Sequence, residues 1–154
     1  MSEYSAGSTF QRFLGIDYGT KRIGLAIGDD IARIASPVAM VAARGSMVDH
    51  AKAVLAEAQE YELDAFVVGL PVNMDDSEGA QAKLTRQFGE ILAKASGKPV
   101  HFFDERLSSH AARELLHPAE LSRGKRKARL DAVAAQVILQ SFLETLAPPE
   151  LSDS

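Results

Sequence analysis

Residues 14–29 read LGIDYGTKRIGLAIGD. Two apolar runs flank a tight turn. Phe13-Leu14-Gly15-Ile16 leads in and Ile23-Gly24-Leu25-Ala26-Ile27 leads out. Between them lie Tyr18-Gly19-Thr20-Lys21, with Gly19 free to take the positive φ that a short hairpin loop needs. The stretch therefore predicts an antiparallel β-hairpin. Asp17 is its oddity. An acid ending a hydrophobic strand is costly to bury unless a cation, a donor or water meets it. Bonding to turn amides is the plain explanation. A second one opens only if other carboxylates end neighbouring elements.

Outward from the hairpin, strands are expected at about 12–18 and 21–28, followed by a third, edge strand within 31–41 that contains Pro37. From Met47 the period becomes helical, with Ala51, Val54, Leu55 and Ala58 recurring, and this helix ends near Tyr61. Residues 64–70, DAFVVGL, read as a buried central strand. Residues 71–79, PVNMDDSEG, form a turn-rich loop. A second helix is expected over 78–96 with Leu84, Phe88, Ile91, Leu92 and Ala95 on one face, stopped by Gly97 and Pro99. Val100 to Phe103 is a fifth strand, leading into Asp104-Glu105-Arg106. A helix capped by Ser108 or Ser109 reaches Leu116, residues 118–126 form a basic loop, and a last buried helix covers 128–146. The order βββαβαβαα is a meander followed by strands joined through helices, hence a mixed five-stranded sheet covered on both faces.

At 154 residues the chain is one domain, over 12–147, between flexible tails at 1–11 and 148–154. Hydrophobic content of 46% and charged content of 25% are ordinary globular values and argue against disorder. No run approaches about 18 apolar residues, so no membrane span or membrane partner is expected. The first residues lack the apolar core of a signal peptide, which predicts a cytoplasmic protein. The absence of Cys fits that and excludes thiolate metal sites. A net charge of −4 does not by itself favour nucleic acid, though the placement of charge matters more than its sum.

Acids stand at two further places. Asp104 and Glu105 end strand five, and Asp131 lies in the first turns of the last helix. Ligand sites of α/β sheets form at strand ends near switches in strand order. Converging carboxylates repel and raise at least one pKa, and Mg2+ or Mn2+ removes that conflict. One or two such ions, a pair standing about 3.5–4 Å apart, would activate water against a phosphodiester. Period-2 alternation puts Asp104 and Glu105 on opposite faces, so one of them is the direct ligand unless the backbone turns there. Local readings compete: an exposed turn with an ion pair to Arg106, and an Asp131 that favours the helix dipole.

The chain resembles the YqgF family, the pre-16S rRNA nucleases or Holliday-junction-resolvase-like proteins. The matching pieces are GIDYGTKRIGLA (15–26), VVGLPVNMDDSEG (67–79), DERLSS (104–109) and RLDAVAAQVIL (129–139), in family order over about 13–143. One small departure is Ser108-Ser109, where the family reads Ser-Thr. The resemblance implies an RNase H-like fold, divalent-metal nuclease chemistry and a role in maturing ribosomal RNA. By matching position it implies Asp17, Glu105 and Asp131 as the catalytic, metal-binding acids, with Asp104 adjacent. The better-known resolvases of this fold carry an acid at the end of the fourth strand, where this chain has Gly69-Leu70-Pro71. A different metal geometry is expected here.

Arg123, Lys125, Arg126, Lys127 and Arg129 place five positive charges in seven residues before Asp131. They read as a clamp on a nucleic-acid backbone or as a solvated loop. Lys21 and Arg22 on the hairpin would hold the same backbone. Arg106 would pair with a phosphate or orient Glu105. Asn73 would meet substrate or serve its own turn, and Tyr18 is the one aromatic placed to stack on a base. The four His share no metal-ligand spacing.

Three functions compete. One is a metal-dependent endonuclease on precursor rRNA, or on branched DNA, which would require a symmetric dimer; as an RNA nuclease a monomer or weak homodimer suffices. Another is a non-catalytic RNA-binding assembly factor. The third is an ATPase of the actin and sugar-kinase type, whose phosphate loop looks like IDYGTKRIG. It is disfavoured by the room for only one domain and by the lack of a second phosphate hairpin.

Overall fold

The structure, a computed structural model, describes residues 10–108, residue 114 and residues 123–147, the last group from the backbone alone up to Asp131. Five strands form one sheet: β1 (Arg12–Tyr18), β2 (Arg22–Asp29), β3 (Ser36–Ala42), β4 (Ala65–Leu70) and β5 (Val100–Asp104). Their spatial order is β3-β2-β1-β4-β5. β1 pairs antiparallel with β2 and parallel with β4, and β4 pairs parallel with β5. Three helices are described: α1 (Met47–Ala58), α2 (Ala80–Ser96) and α3 (Arg123–Thr145). The mixed sheet expected from the sequence is therefore the one observed.

Alternation along the strands sorts side chains onto two faces. Leu14, Ile16, Tyr18, Phe66 and Val68 form one core with Val54 of α1 and Phe88 and Leu92 of α2. Phe13, Ala65, Val67 and Phe103 form the other with Ala135, Ile138 and Leu139 of α3. All of β4 is buried, as its unbroken apolar run requires. α1 starts on a reciprocal capping box: Ser46 Oγ accepts from the Asp49 amide at 3.2 Å, and Asp49 accepts from the Ser46 amide at 2.9 Å. α2 stops at Gly97, whose φ of 72° only glycine adopts without strain. β3 is the edge strand, and its register against β2 shifts beside Pro37.

Several expectations are corrected. Gly19 is not among the positive-φ glycines. The turn spans Gly19 to Lys21, and crowding explains the glycine: a Cβ there would stand 2.6 Å from the Arg22 carbonyl oxygen. The buried face of α2 is Ala82, Thr85, Phe88, Gly89 and Leu92, and Leu84 and Ala95 are exposed. The last helix begins at Arg123, so the stretch from Arg123 to Arg126 is helical where a loop was expected. Lys, Arg, Ala and Leu are all good helix formers, and only Gly124 opposes them. Apart from the extended Ser108 and residue 114, the helix expected from Ser108 or Ser109 to Leu116 lies outside the described residues, as do residues 1–9 and 148–154 of the expected tails.

Candidate active site

The C-terminal ends of the parallel strands β1, β4 and β5 share one edge of the sheet. The register Ile16↔Val68, continued by one step, brings Asp17 level with Gly69, and Gly69 pairs with Phe103. Parity then decides the face. Phe13 and Asp17, Val67 and Gly69, and Phe103 and Glu105 alternate onto the side covered by α3. Asp104 belongs to the opposite parity.

α3 runs against β1. Phe142 meets Phe13 near the start of the strand, with ring centroids 5.3 Å apart. Farther along, a Cβ at Gly15 would come within 2.6 Å of Leu139 Cβ and 3.1 Å of the Ala135 carbonyl oxygen. One more turn toward the helix N-terminus is position 131, the fourth residue before Ala135. The backbone thus carries residue 131 toward the Asp17 end of β1. The Asp131 side chain lies outside the described residues.

The two neighbouring acids at the end of β5 have different surroundings. Asp104 accepts from the Arg106 amide at 2.9 Å and from Arg106 Nη2 at 2.7 Å. The Arg106 guanidinium holds its carboxyl below the usual range. Glu105 opens a 3-10 turn, Glu105–Leu107, and its carboxylate returns over β4. An ideal Cβ at Gly69 would stand 2.8 Å from Glu105 Oε2. Burial, then the charges of Asp17 and Asp104, push the Glu105 carboxyl up to about 7. The Asp17 charge acts on Glu105 ahead of that of Asp104.

Arg106 is also tied to the loop of residues 71–79. Its Nη1 donates to the Asn73 carbonyl and to Asp76 Oδ1, each at 2.9 Å. The sequence offered it as a phosphate ligand or an organiser of Glu105, and its bonds here run to Asp104 and to this loop. Asn73 serves its own loop: its amide donates to the Ser77 carbonyl at 2.9 Å and its side chain to Ser77 Oγ at 3.0 Å. The tip residue Met74 is 88% exposed. Tyr18 is no stacking platform for a base. It is buried, stacked on Phe88 with centroids 4.1 Å apart, and bonded through its hydroxyl to His50 Nδ1 at 2.7 Å.

Lys21 is exposed in the hairpin turn and Arg22 starts β2 beside it. Arg123, Lys125, Arg126, Lys127 and Arg129 occupy the first turns of α3, and their side chains lie outside the described residues. Among the described residues no group of three or more His or acidic side chains forms a metal cluster. No described helix is long and apolar enough to cross a membrane. Sequence reasoning passed over Gly69 as a mere missing acid. Its signal was a glycine inside a strand of large residues, which marks a close approach.

A mixed sheet of this order, with acids gathered where three parallel strands end beneath a helix, defines an RNase H-like fold. Two solved Thermus thermophilus RuvC structures share that fold. One, in complex with a Holliday junction substrate, has a TM-score of 0.52 at 13% identity over 85% of this chain and 91% of its own. The other has a TM-score of 0.53 at 18% identity over 84% of this chain and 92% of its own. The family model RuvX, described as Holliday junction resolvase, matches residues 11–145, and the chain belongs to that family. A relative from Anaeromyxobacter sp. (strain Fw109-5), named "Putative pre-16S rRNA nuclease", is 47% identical over 86% of this chain and 96% of its own length. One from Myxococcus xanthus (strain DK1622) with the same name is 42% identical over 90% and 91%.

Proposed function

We propose that this chain is a cytoplasmic, divalent-metal-dependent endonuclease that hydrolyses phosphodiester bonds of precursor 16S ribosomal RNA. The observation that carries the reading is the placement of Asp17 and Glu105 on one face of one sheet edge, beneath the helix that bears residue 131. The names of the curated relatives support precursor 16S rRNA as the substrate.

The donor set fits Mg2+ or Mn2+. It is all oxygen, and hard cations take oxygen ligands. A cation also removes the strain recorded in the raised Glu105 carboxyl. Asp17, Glu105 and Asp131 would hold it, and when bound it supplies Lewis acidity toward a phosphodiester. Asp104 stays with Arg106 and fixes the turn from which Glu105 projects. The basic turns at the start of α3 favour a polyanion. Their five cations sit at the positive end of a helix dipole with no acid in the first turn, an arrangement that an RNA backbone relieves. Lys21 and Arg22 add two further cations at the turn between β1 and β2.

Branched DNA is the second reading, favoured by the description of the family model. The test is purified protein with Mn2+ or Mg2+ on labelled precursor rRNA and on a four-way DNA junction, side by side. Cleavage of the RNA at defined positions is expected. Cleavage of the junction alone selects the second reading, and metal-independent binding with no cleavage of either selects an assembly factor.

A further inference from the structure

We propose that Gly69 is a positioning residue whose missing side chain is the seat that lets the Glu105 carboxylate reach Asp17 across the sheet. This rests on the metal-nuclease reading above and deepens it.

Strand spacing sets the distance to be crossed. β1 and β5 are not neighbours, because β4 lies between them. Two spacings separate their backbones by about 9.5 Å. Two oxygen ligands of one ion, each near 2.1 Å from it, stand no more than about 4 Å apart. An acid on β5 can join one on β1 only if its carboxylate leans over β4. The residue of β4 that it must cross is set by register. Gly69 follows the last β1 pair, Ile16↔Val68, and lies level with Phe103, two residues before Glu105. Its parity turns any side chain there toward α3, into the site.

Among the described residues, two groups approach that space most closely. A Cβ at position 69 would stand 2.5 Å from Ile138 Cδ1 and 2.8 Å from Glu105 Oε2. Both distances are shorter than a methyl tolerates. Ile138 closes the inner side and the Glu105 carboxylate lies on the outer side. Both obstacles are far ends of flexible side chains, so a methyl can be accommodated by turning them. For Ile138 that is a small repacking. For Glu105 it moves the carboxylate away from Asp17. Phe66, Val68 and Leu70 share the opposite parity along β4, and Phe66 and Val68 lie in the other core, so neither Val68 nor Leu70 takes over this role.

The test separates the two obstacles. Gly69→Ala, Ile138→Val and the double variant are compared with the parent by Mn2+ titration calorimetry without nucleic acid, by melting temperature without metal, and by cleavage of labelled precursor rRNA. Ile138→Val removes the Cδ1 atom that a methyl at 69 would meet at 2.5 Å, keeps only the Cγ1 carbon at 3.0 Å, and leaves Glu105 in place. The expected result is Mn2+ binding weakened about tenfold or more in Gly69→Ala and equally in the double variant, with cleavage falling in parallel. Ile138→Val alone binds like the parent. If Gly69→Ala does not fold, the relieved double variant carries the comparison. Parent-like Mn2+ binding in Gly69→Ala, or its recovery in the double variant, overturns the proposal and leaves the nuclease reading standing. A parent that neither binds Mn2+ nor cleaves overturns both.

Discussion

Arg106 grips Asp104 through Nη2 at 2.7 Å and through Nε at 3.1 Å from each carboxylate oxygen. The same guanidinium reaches Asn73 and Asp76 across the loop. The two adjacent acids thus differ in their surroundings: Arg106 binds Asp104, and the Glu105 carboxylate lies against Gly69 of β4.

Arg106→Gln should therefore act through the loop and the Glu105 turn. Hydrogen exchange over residues 71–79 should speed up, and cleavage should fall. The salt dependence of RNA affinity should stay at the parent slope, because no phosphate contact is lost. A slope lowered by about one would make Arg106 a phosphate ligand instead.

Tyr18→Phe should destabilise by about 1–3 kcal/mol, because it strips the partner from His50 Nδ1 inside the core. RNA affinity should not change. Denaturant unfolding and a binding isotherm on the same preparation check both halves.

Much of this was legible in the sequence. Alternation and period predicted every described strand, and the Asp104–Glu105 parity argument already allowed one ligand of the pair. Other features were not legible. Tyr18, placed by the sequence to stack on a base, shares parity with Leu14 and Ile16 and belongs to the core. The start of α3 was missed because a run of cations carries no hydrophobic period. The role of Gly69 needs the register of three strands at once, which no local pattern holds.

Metal-free stability should decline as pH rises across the window set by Glu105. Its carboxyl ordinarily titrates at 4.5 and is pushed up to about 7 in the fold. Between those values the native state binds more protons than the unfolded chain, so stability is fullest below 4.5 and is lost as pH climbs through about 7. With solvent screening of a half-buried group, the contribution is of order 1–2 kcal/mol. Glu105→Gln should flatten this part of the profile and melt higher than the parent at pH 8. Melting curves from pH 4 to 8 in a chelator check it, and an identical slope in both proteins would refute it.

Changing Lys125, Arg126 and Lys127 together to Ala should weaken RNA binding and flatten its salt dependence. Each lost phosphate contact should lower the slope of log affinity against log salt by roughly one on a duplex-like substrate. Affinity measured at four salt concentrations decides it, and an unchanged slope returns these residues to a solvated helical surface.

Asp17→Asn separates chemistry from folding most sharply. Asn is nearly isosteric and keeps an acceptor oxygen, so the hairpin between β1 and β2 should survive. The formal charge that a hard cation requires is gone. So is part of the repulsion that raises the Glu105 carboxyl, since Asp17 is the larger of the two charges acting on it. Metal-free stability should hold or rise, Mn2+ affinity should drop, and cleavage should fall by about two orders of magnitude or more. RNA binding in chelator should persist, because the basic turns of α3 are untouched. A turn Asp with no part in catalysis makes the opposite prediction, since Asn would leave activity nearly intact. Cleavage, RNA affinity and melting temperature measured on one preparation distinguish the two. Retained cleavage in a well-folded Asp17→Asn protein would remove this residue from the metal site.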